Sequence, residues 1–142
     1  IMKILVLQGP NLNLLGLKSS QVKERLTLDK LNKRVKAETK LEKIQLKFFQ
    51  THKTFQAINF LQRNRNKASG LLFIPTSWAR DNYTILETII LIEIKTSVVY
   101  FEEPYNFGTN VNESIIQGEN IKSFTGQPVP SCVEGVKRFL KK

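Results

Sequence analysis

The sequence predicts an α/β fold built on a parallel sheet covered on both faces. Three observations carry that expectation. Short apolar runs alternate along the chain with segments of helical period. Each run is apolar at nearly every position instead of every second one, as in strands buried on both faces. Several runs stop at glycine or proline, residues that turn a chain out of a sheet. The length, 142 residues, suits one domain with a single core, so residues 1–142 are read as one unit.

Taken in order, Lys3–Leu7 (KILVL) is a strand that leaves the sheet at Gly9-Pro10. Thr27–Thr39 places Leu28, Leu31 and Val35 at helical spacing, with Thr27 positioned to cap and Asp29 in the first turn, where the helix dipole favours an anion. Ile44–Phe49 is the second strand. Phe55–Gln62 is an amphipathic helix fading into the polar Arg63–Ser69 connection. Gly70–Ile74 is a third strand, stopped by Pro75, which lacks the N–H a central ladder requires. Asn82 is placed to cap a helix over Tyr83–Ile94. Ser97–Phe101 is the fourth strand, ended by Pro104, and Ile121–Phe124 a short fifth. Pro130 or Ser131 opens the last helix, with Val133, Val136, Phe139 and Leu140 inward and Lys137, Arg138, Lys141 and Lys142 at the negative end of its dipole. Five β/α units in this length match a flavodoxin-like three-layer sandwich with a five-stranded parallel sheet of order 2-1-3-4-5. Ligands of such sheets bind beyond the carboxyl ends of the strands, here Gln8–Gly16, Gln50–Thr54, Pro75–Asp81 and Glu102–Asn110.

Composition narrows the function classes. Hydrophobic residues at 41% and charged ones at 24% are ordinary globular usage and exclude a disordered or fibrous chain. The densest apolar run, Ile85–Ile94, is broken by Glu87 and Glu93, so no membrane span is expected. A lone cysteine, Cys132, rules out an internal disulfide, and with a single histidine, His52, it argues against structural zinc. The chain enters its strand pattern with no basic lead-in, so a secretory signal is not expected. The expected location is the cytoplasm, or an organelle matrix had a transit peptide been removed. The net charge of +10 attracts anions from small carboxylates to phosphodiesters, with the lysine excess mainly in Lys18–Lys47 and Arg63–Lys67.

The most specific segment is Gln8–Gly16, QGPNLNLLG. Gly9 lets the backbone turn, Pro10 stiffens it, and Asn11 and Asn13 bring amide groups to a strand end. It is not a phosphate loop: no G-x-G-x-x-G follows the strand and no Gly-Lys-Ser/Thr occurs in the chain. With its flank, MKILVLQGPNLNLLG closely resembles the opening of the type II 3-dehydroquinate dehydratases, the type II dehydroquinases. The resemblance continues through Thr27-Leu28-Asp29, a strand ending FFQT (Phe48–Thr51), the strand stopped at Pro75, Val98-Val99 and, loosely, SFTGQPV (Ser123–Val129). It implies the flavodoxin-like fold and the loss of water from 3-dehydroquinate through an enolate. In that chemistry an ionised tyrosine beside an arginine takes the C2 proton, an asparagine and a held water stabilise the enolate, and a histidine protonates the departing hydroxyl. It implies no metal or organic cofactor, and a trimer or dodecamer, as a homo-oligomer or a hetero-oligomer.

Carried over position by position, the resemblance keeps Asn11 and changes most of the rest. Lys18 stands at the arginine position and Lys23 at that of the base tyrosine. Ile74 replaces the substrate asparagine, Thr76-Ser77 replace Gly-Ala, and Arg80 takes the place of the acid histidine. Glu102, followed by Glu103, replaces the histidine after the fourth strand, Thr109–Glu113 replace Arg-Glu-x-Phe-Arg, and His52-Lys53-Thr54-Phe55 replace the acidic-glycine motif. Lysine is protonated at neutral pH unless desolvated, and a guanidinium stays charged, so neither is suited to the inherited role. Ile74 would leave a polar substrate unpaired at about 1–3 kcal/mol per group.

The reading is a family member with a degenerate site, inactive or weakly active, serving as a binding or assembly subunit. A small anionic ligand would meet Ile74, Thr76, Ser77, Glu102 and Glu103. Two alternatives stand beside it: an active dehydratase using rearranged residues, and a basic module binding RNA or a nucleoprotein, for which the chain carries charge but no nucleic-acid motif. His52 reads as a loop histidine and Cys132 as a core thiol. Trp78, Tyr83, Tyr100 and Tyr105 read as packing, and Glu102 and Glu103 as neighbours facing opposite ways.

Overall fold

Five strands, β1 (Met2–Gln8), β2 (Ile44–Gln50), β3 (Gly70–Ile74), β4 (Thr96–Phe101) and β5 (Ile121–Gly126), form one sheet of order β2-β1-β3-β4-β5 in the computed structural model, which describes residues 1–141. All its pairings are parallel. The expected flavodoxin-like architecture is therefore the observed one. Helices cover both faces: α2 (Leu28–Glu38) and α6 (Pro128–Lys137) on one, α3 (Thr54–Asn64) and α5 (Tyr83–Leu91) on the other. Short α1 (Leu15–Lys18) and α4 (Trp78–Asp81) turn the chain after β1 and β3.

The alternation of side chains along β1 explains why KILVL is apolar throughout. Ile4 and Val6 join a core with Leu31, Val35, Val133 and Val136, while Leu5 and Leu7 join another with Leu61, Ile85 and Ile89. β3 and β4 are likewise buried at every residue, whereas the edge strand β2 is only half-buried or exposed.

Both expected caps form. Thr27 Oγ1 accepts from the Lys30 N–H at 3.2 Å, and Asn82 Oδ1 accepts from the Ile85 N–H at 3.2 Å. Asn82 Nδ2 also donates to Thr54 Oγ1 at 3.1 Å, tying the starts of α3 and α5 together. Asn82→Ala removes cap and tie together and is expected to cost about 1–2 kcal/mol, read as a lower urea midpoint with an unchanged slope.

The strands run up to two residues past their expected bounds, β5 reaching Gly126 instead of Phe124, and three helix ends depart by two residues or more. The last helix starts at Pro128, ahead of Pro130 and Ser131: prolines suit a first turn, where N–H groups have no helical acceptor, and Ser131 Oγ donates back to the Gln127 carbonyl at 2.6 Å. α5 stops at Leu91 instead of Ile94, because Glu93 turns left-handed at φ 55° and redirects the chain into β4. α3 runs to Asn64, past Gln62, with the Asn64 side chain donating to the Phe60 carbonyl at 2.7 Å. No helix among the described residues is long and apolar enough to cross a membrane.

Candidate active-site crevice at the strand ends

The loops beyond the carboxyl ends of β1, β2 and β3 are stitched to one another. The Gly9 N–H donates to the Ile74 carbonyl at 2.8 Å, Gln50 Nε2 to the Gly9 carbonyl at 3.0 Å, and the Thr51 N–H to the Gln8 carbonyl at 3.0 Å. Asn11 sits left-handed at φ 69°, and its N–H donates to His52 Nδ1 at 3.2 Å. That bond leaves the neutral imidazole's proton on Nε2. Thr76 is also left-handed, φ 51°, a costly conformation for a β-branched residue. Its Oγ1 lies 2.8 Å from the Pro10 carbonyl and 2.7 Å from that of Pro75, and this bonding offsets the strain.

Between the ends of β3 and β4 little space is left. The cavity bounded by Ile74, Thr76, Val99, Phe101, Phe107 and Thr109 is about 10 Å³, room for one water at most. Phe107 packs there against the buried core beneath. Arg80 Nη2, on α4, pairs with Glu113 Oε2 at 3.2 Å.

On the other side, the segment between α1 and α2 is closed at its base by the Leu26 N–H donating to Ser19 Oγ at 2.9 Å. Arg25 Nε donates to the Gly16 carbonyl at 3.0 Å and Tyr105 Oη to the Glu24 carbonyl at 2.6 Å. An open cavity of about 220 Å³ lies behind it, between Arg25, Arg34, Tyr105 and the start of α6.

The family model described as "Dehydroquinase class II" matches residues 2–138. The chain belongs to the class II (type II) dehydroquinases. A 3-dehydroquinate dehydratase of Endomicrobium trichonymphae is 29% identical over 138 residues, covering 97% of this chain and 96% of that one. One of Clostridium botulinum, strain Hall, is 29% identical over 107 residues, 72% of this chain and 73% of the relative. Among solved structures, the type II dehydroquinase of Butyrivibrio crossotus has a TM-score of 0.83 at 21% identity, over 99% of this chain and 98% of that one. A 3-dehydroquinate dehydratase-like protein from Bifidobacterium longum has a TM-score of 0.66 at 14% identity over the whole of both chains. These likenesses agree with the fold.

The residues expected at dehydroquinase positions fall at the carboxyl end of the sheet but in different settings. Asn11, Lys18 and Lys23 are exposed, as are Ser77, Glu102 and Glu103, whereas Ile74 and Thr76 are buried. Arg80 is exposed and engaged with Glu113. Burial pushes the Tyr100 phenol above its ordinary range, outweighing the hydrogen bonds to Ser114 and Ser123, and its Oη meets Ser114 Oγ at 2.5 Å. Tyr105 is spent on the Glu24 carbonyl, and Tyr83 is exposed. Trp78 packs in the core. Phe107, the Arg80–Glu113 pair and the Tyr105 tie went unread in the sequence, because no spacing rule links residues 33 or 81 positions apart. The His52–Asn11 bond carried one signal: both residues lie on strand-end segments of paired strands.

Cys132 is buried in the α6 face of the core, where burial pushes its thiol far above the ordinary 9.0. A raised acid pKa in the folded state favours the neutral form, so this stabilisation is complete below pH 9 and is lost progressively as pH rises above it. Tyr100 acts in the same direction from its ordinary 10.0. Stability is expected to stay level through neutral pH and fall above about pH 9, with Cys132→Ala removing the first part of the fall in a pH series of thermal melts. Among the described residues no three His, Cys, Asp or Glu side chains gather as a metal site.

Proposed function

We propose that this type II dehydroquinase-family chain has a degenerate site and does not turn over 3-dehydroquinate efficiently, serving instead as a binding or assembly subunit with itself or with an intact relative. The observation that carries this reading is how little space lies between the ends of β3 and β4: the cavity that Ile74 and Phe107 line there is about 10 Å³, whereas small-molecule sites run to some 300 Å³ and more. The chemistry points the same way. The position-by-position resemblance puts Lys23 and Arg80 where the base and acid would be, and a guanidinium, here paired to Glu113, holds its protons too tightly to act as a general acid. Each proton transfer is worth about 10²–10⁴-fold, so losing both removes roughly 10⁴-fold or more.

A second reading, residual dehydratase activity, is favoured by the retained Asn11 and by the activity for which the relatives are named. Ultraviolet absorbance of the conjugated product separates the two. Purified chain with dehydroquinate is expected to track buffer alone, and protein-dependent, saturable product formation overturns the proposal.

A further inference from the structure

Charge is segregated along the chain and therefore across the sheet. From Lys43 to Arg80 there are seven Lys and Arg and no Asp or Glu, whereas from Asp81 to Glu119 there are seven Asp and Glu and one Lys. The first stretch builds β2, α3 and β3, and the second builds α5 and β4 and leads into β5, so one edge of the sheet is basic and the opposite flank acidic. The basic edge carries an open groove of about 490 Å³ between Lys47 and Phe49 of β2 and Gln56, Asn59, Phe60 and Arg63 of α3. Within it the Phe49 and Phe60 rings stack at 5.0 Å and 30°, both half-buried.

The groove is preorganised. Asn64 is buried, donates to the Phe60 carbonyl at 2.7 Å, and accepts from Lys47 Nζ at 3.1 Å. That contact holds the ammonium 6.0 Å from the Phe60 ring centroid and leaves it further hydrogens to donate. At the start of α3, Phe55 is 61% exposed with Lys53 Nζ 5.9 Å from its ring. Cations fixed beside aromatic faces, amides able to pair with base edges, and no carboxylate on the stretch that builds the groove suit a ligand that alternates phosphates with flat rings. A duplex keeps its ring faces stacked inside, and an acidic peptide has no use for ring faces. We propose that the β2–α3 groove binds single-stranded nucleic acid, with phosphates on Lys47 and Arg63 and bases against the Phe60 and Phe55 rings.

The groove flanks the sheet and only its Phe55 end borders the strand-end loops, so dehydroquinate turnover, present or absent, does not decide this proposal. The test is fluorescence anisotropy with a labelled single strand of about 12 nucleotides, the span of an ordinary single-strand site. Binding is expected at low salt, weakening roughly tenfold between about 50 and 200 mM as a few phosphate contacts dictate. Lys47→Glu with Arg63→Glu is expected to weaken it tenfold or more. Phe60→Leu, and separately the exposed Phe55→Leu, are expected to weaken it about fivefold or more while leaving heparin binding unchanged. Absence of binding at 50 mM salt overturns the proposal, as does oligonucleotide affinity indifferent to both phenylalanine variants, which would mean charge alone. It is also overturned if the charge-reversal variant alters only self-association by light scattering, which would place the acidic flank of a second copy in the groove.

Discussion

Lys23→Tyr combined with Arg80→His is expected to leave dehydroquinate turnover at the buffer level. The pair would restore the side chains that move protons, nominally worth about 10⁴-fold together, but would not restore room for a substrate. Ile74 and Phe107 still close the space between β3 and β4 to about 10 Å³. Adding Ile74→Asn and Phe107→Ala supplies a hydrogen-bonding group and removes the plug. The fourfold variant is expected to exceed the double variant by about 10²-fold or more, the low end of what one positioned proton transfer contributes. Breaking the exposed Arg80–Glu113 pair costs at most about 1 kcal/mol. Ile74→Asn puts an amide at a buried core position and Phe107→Ala removes a ring packed on it, about 2–5 kcal/mol in all, so rates are compared at a temperature where thermal melts show both variants folded. Activity in the double variant alone would show that the crevice opens readily and that the missing groups were the whole of the loss.

Gly9→Ala is expected to destabilise the chain by about 3 kcal/mol or to prevent folding. A Cβ there would lie 2.3 Å from the Pro75 oxygen and 2.8 Å from its carbonyl carbon. Both are backbone atoms, and the loop that holds them is fixed by the Gly9–Ile74 and Thr76–Pro10 hydrogen bonds. Overpacking a well-ordered site costs about 1–3 kcal/mol, and a site that cannot yield lies at the top of that range. Gly16→Ala is the control. Its nearest neighbour would be the Thr27 methyl at 2.9 Å, a side-chain atom, so a smaller loss in urea melts is expected. Equal losses would mean that the β1–β3 loop contact is more compliant than its hydrogen bonds suggest.

How far the molecule was legible in advance follows from the range of each interaction. The double-faced burial of Ile4–Leu7 shows as an unbroken apolar run, and the caps at Thr27 and Asn82 show as the residue types that accept from a first-turn N–H. The end of α5 does not show, because a glutamate, Glu93, takes the left-handed position that glycine normally signals. At the site, Asn11, Arg80 and Ile74 could be placed at strand ends from topology alone. What fills the crevice could not: Phe107 lies in an irregular loop with no periodicity to orient it, and the Tyr105–Glu24 and Arg80–Glu113 contacts depend on which loops fold over which strand ends.

Deuterium uptake at C2 of dehydroquinate, followed by NMR in deuterated buffer, interrogates the base step alone, independent of whether water is later lost. With this protein the exchange is expected to match that in buffer, because a lysine, Lys23, stands at the base position in the proposed reading and Ile74 and Phe107 leave about 10 Å³ between the ends of β3 and β4. Saturable protein-dependent incorporation, abolished by Lys23→Ala or Asn11→Ala, would contradict the account.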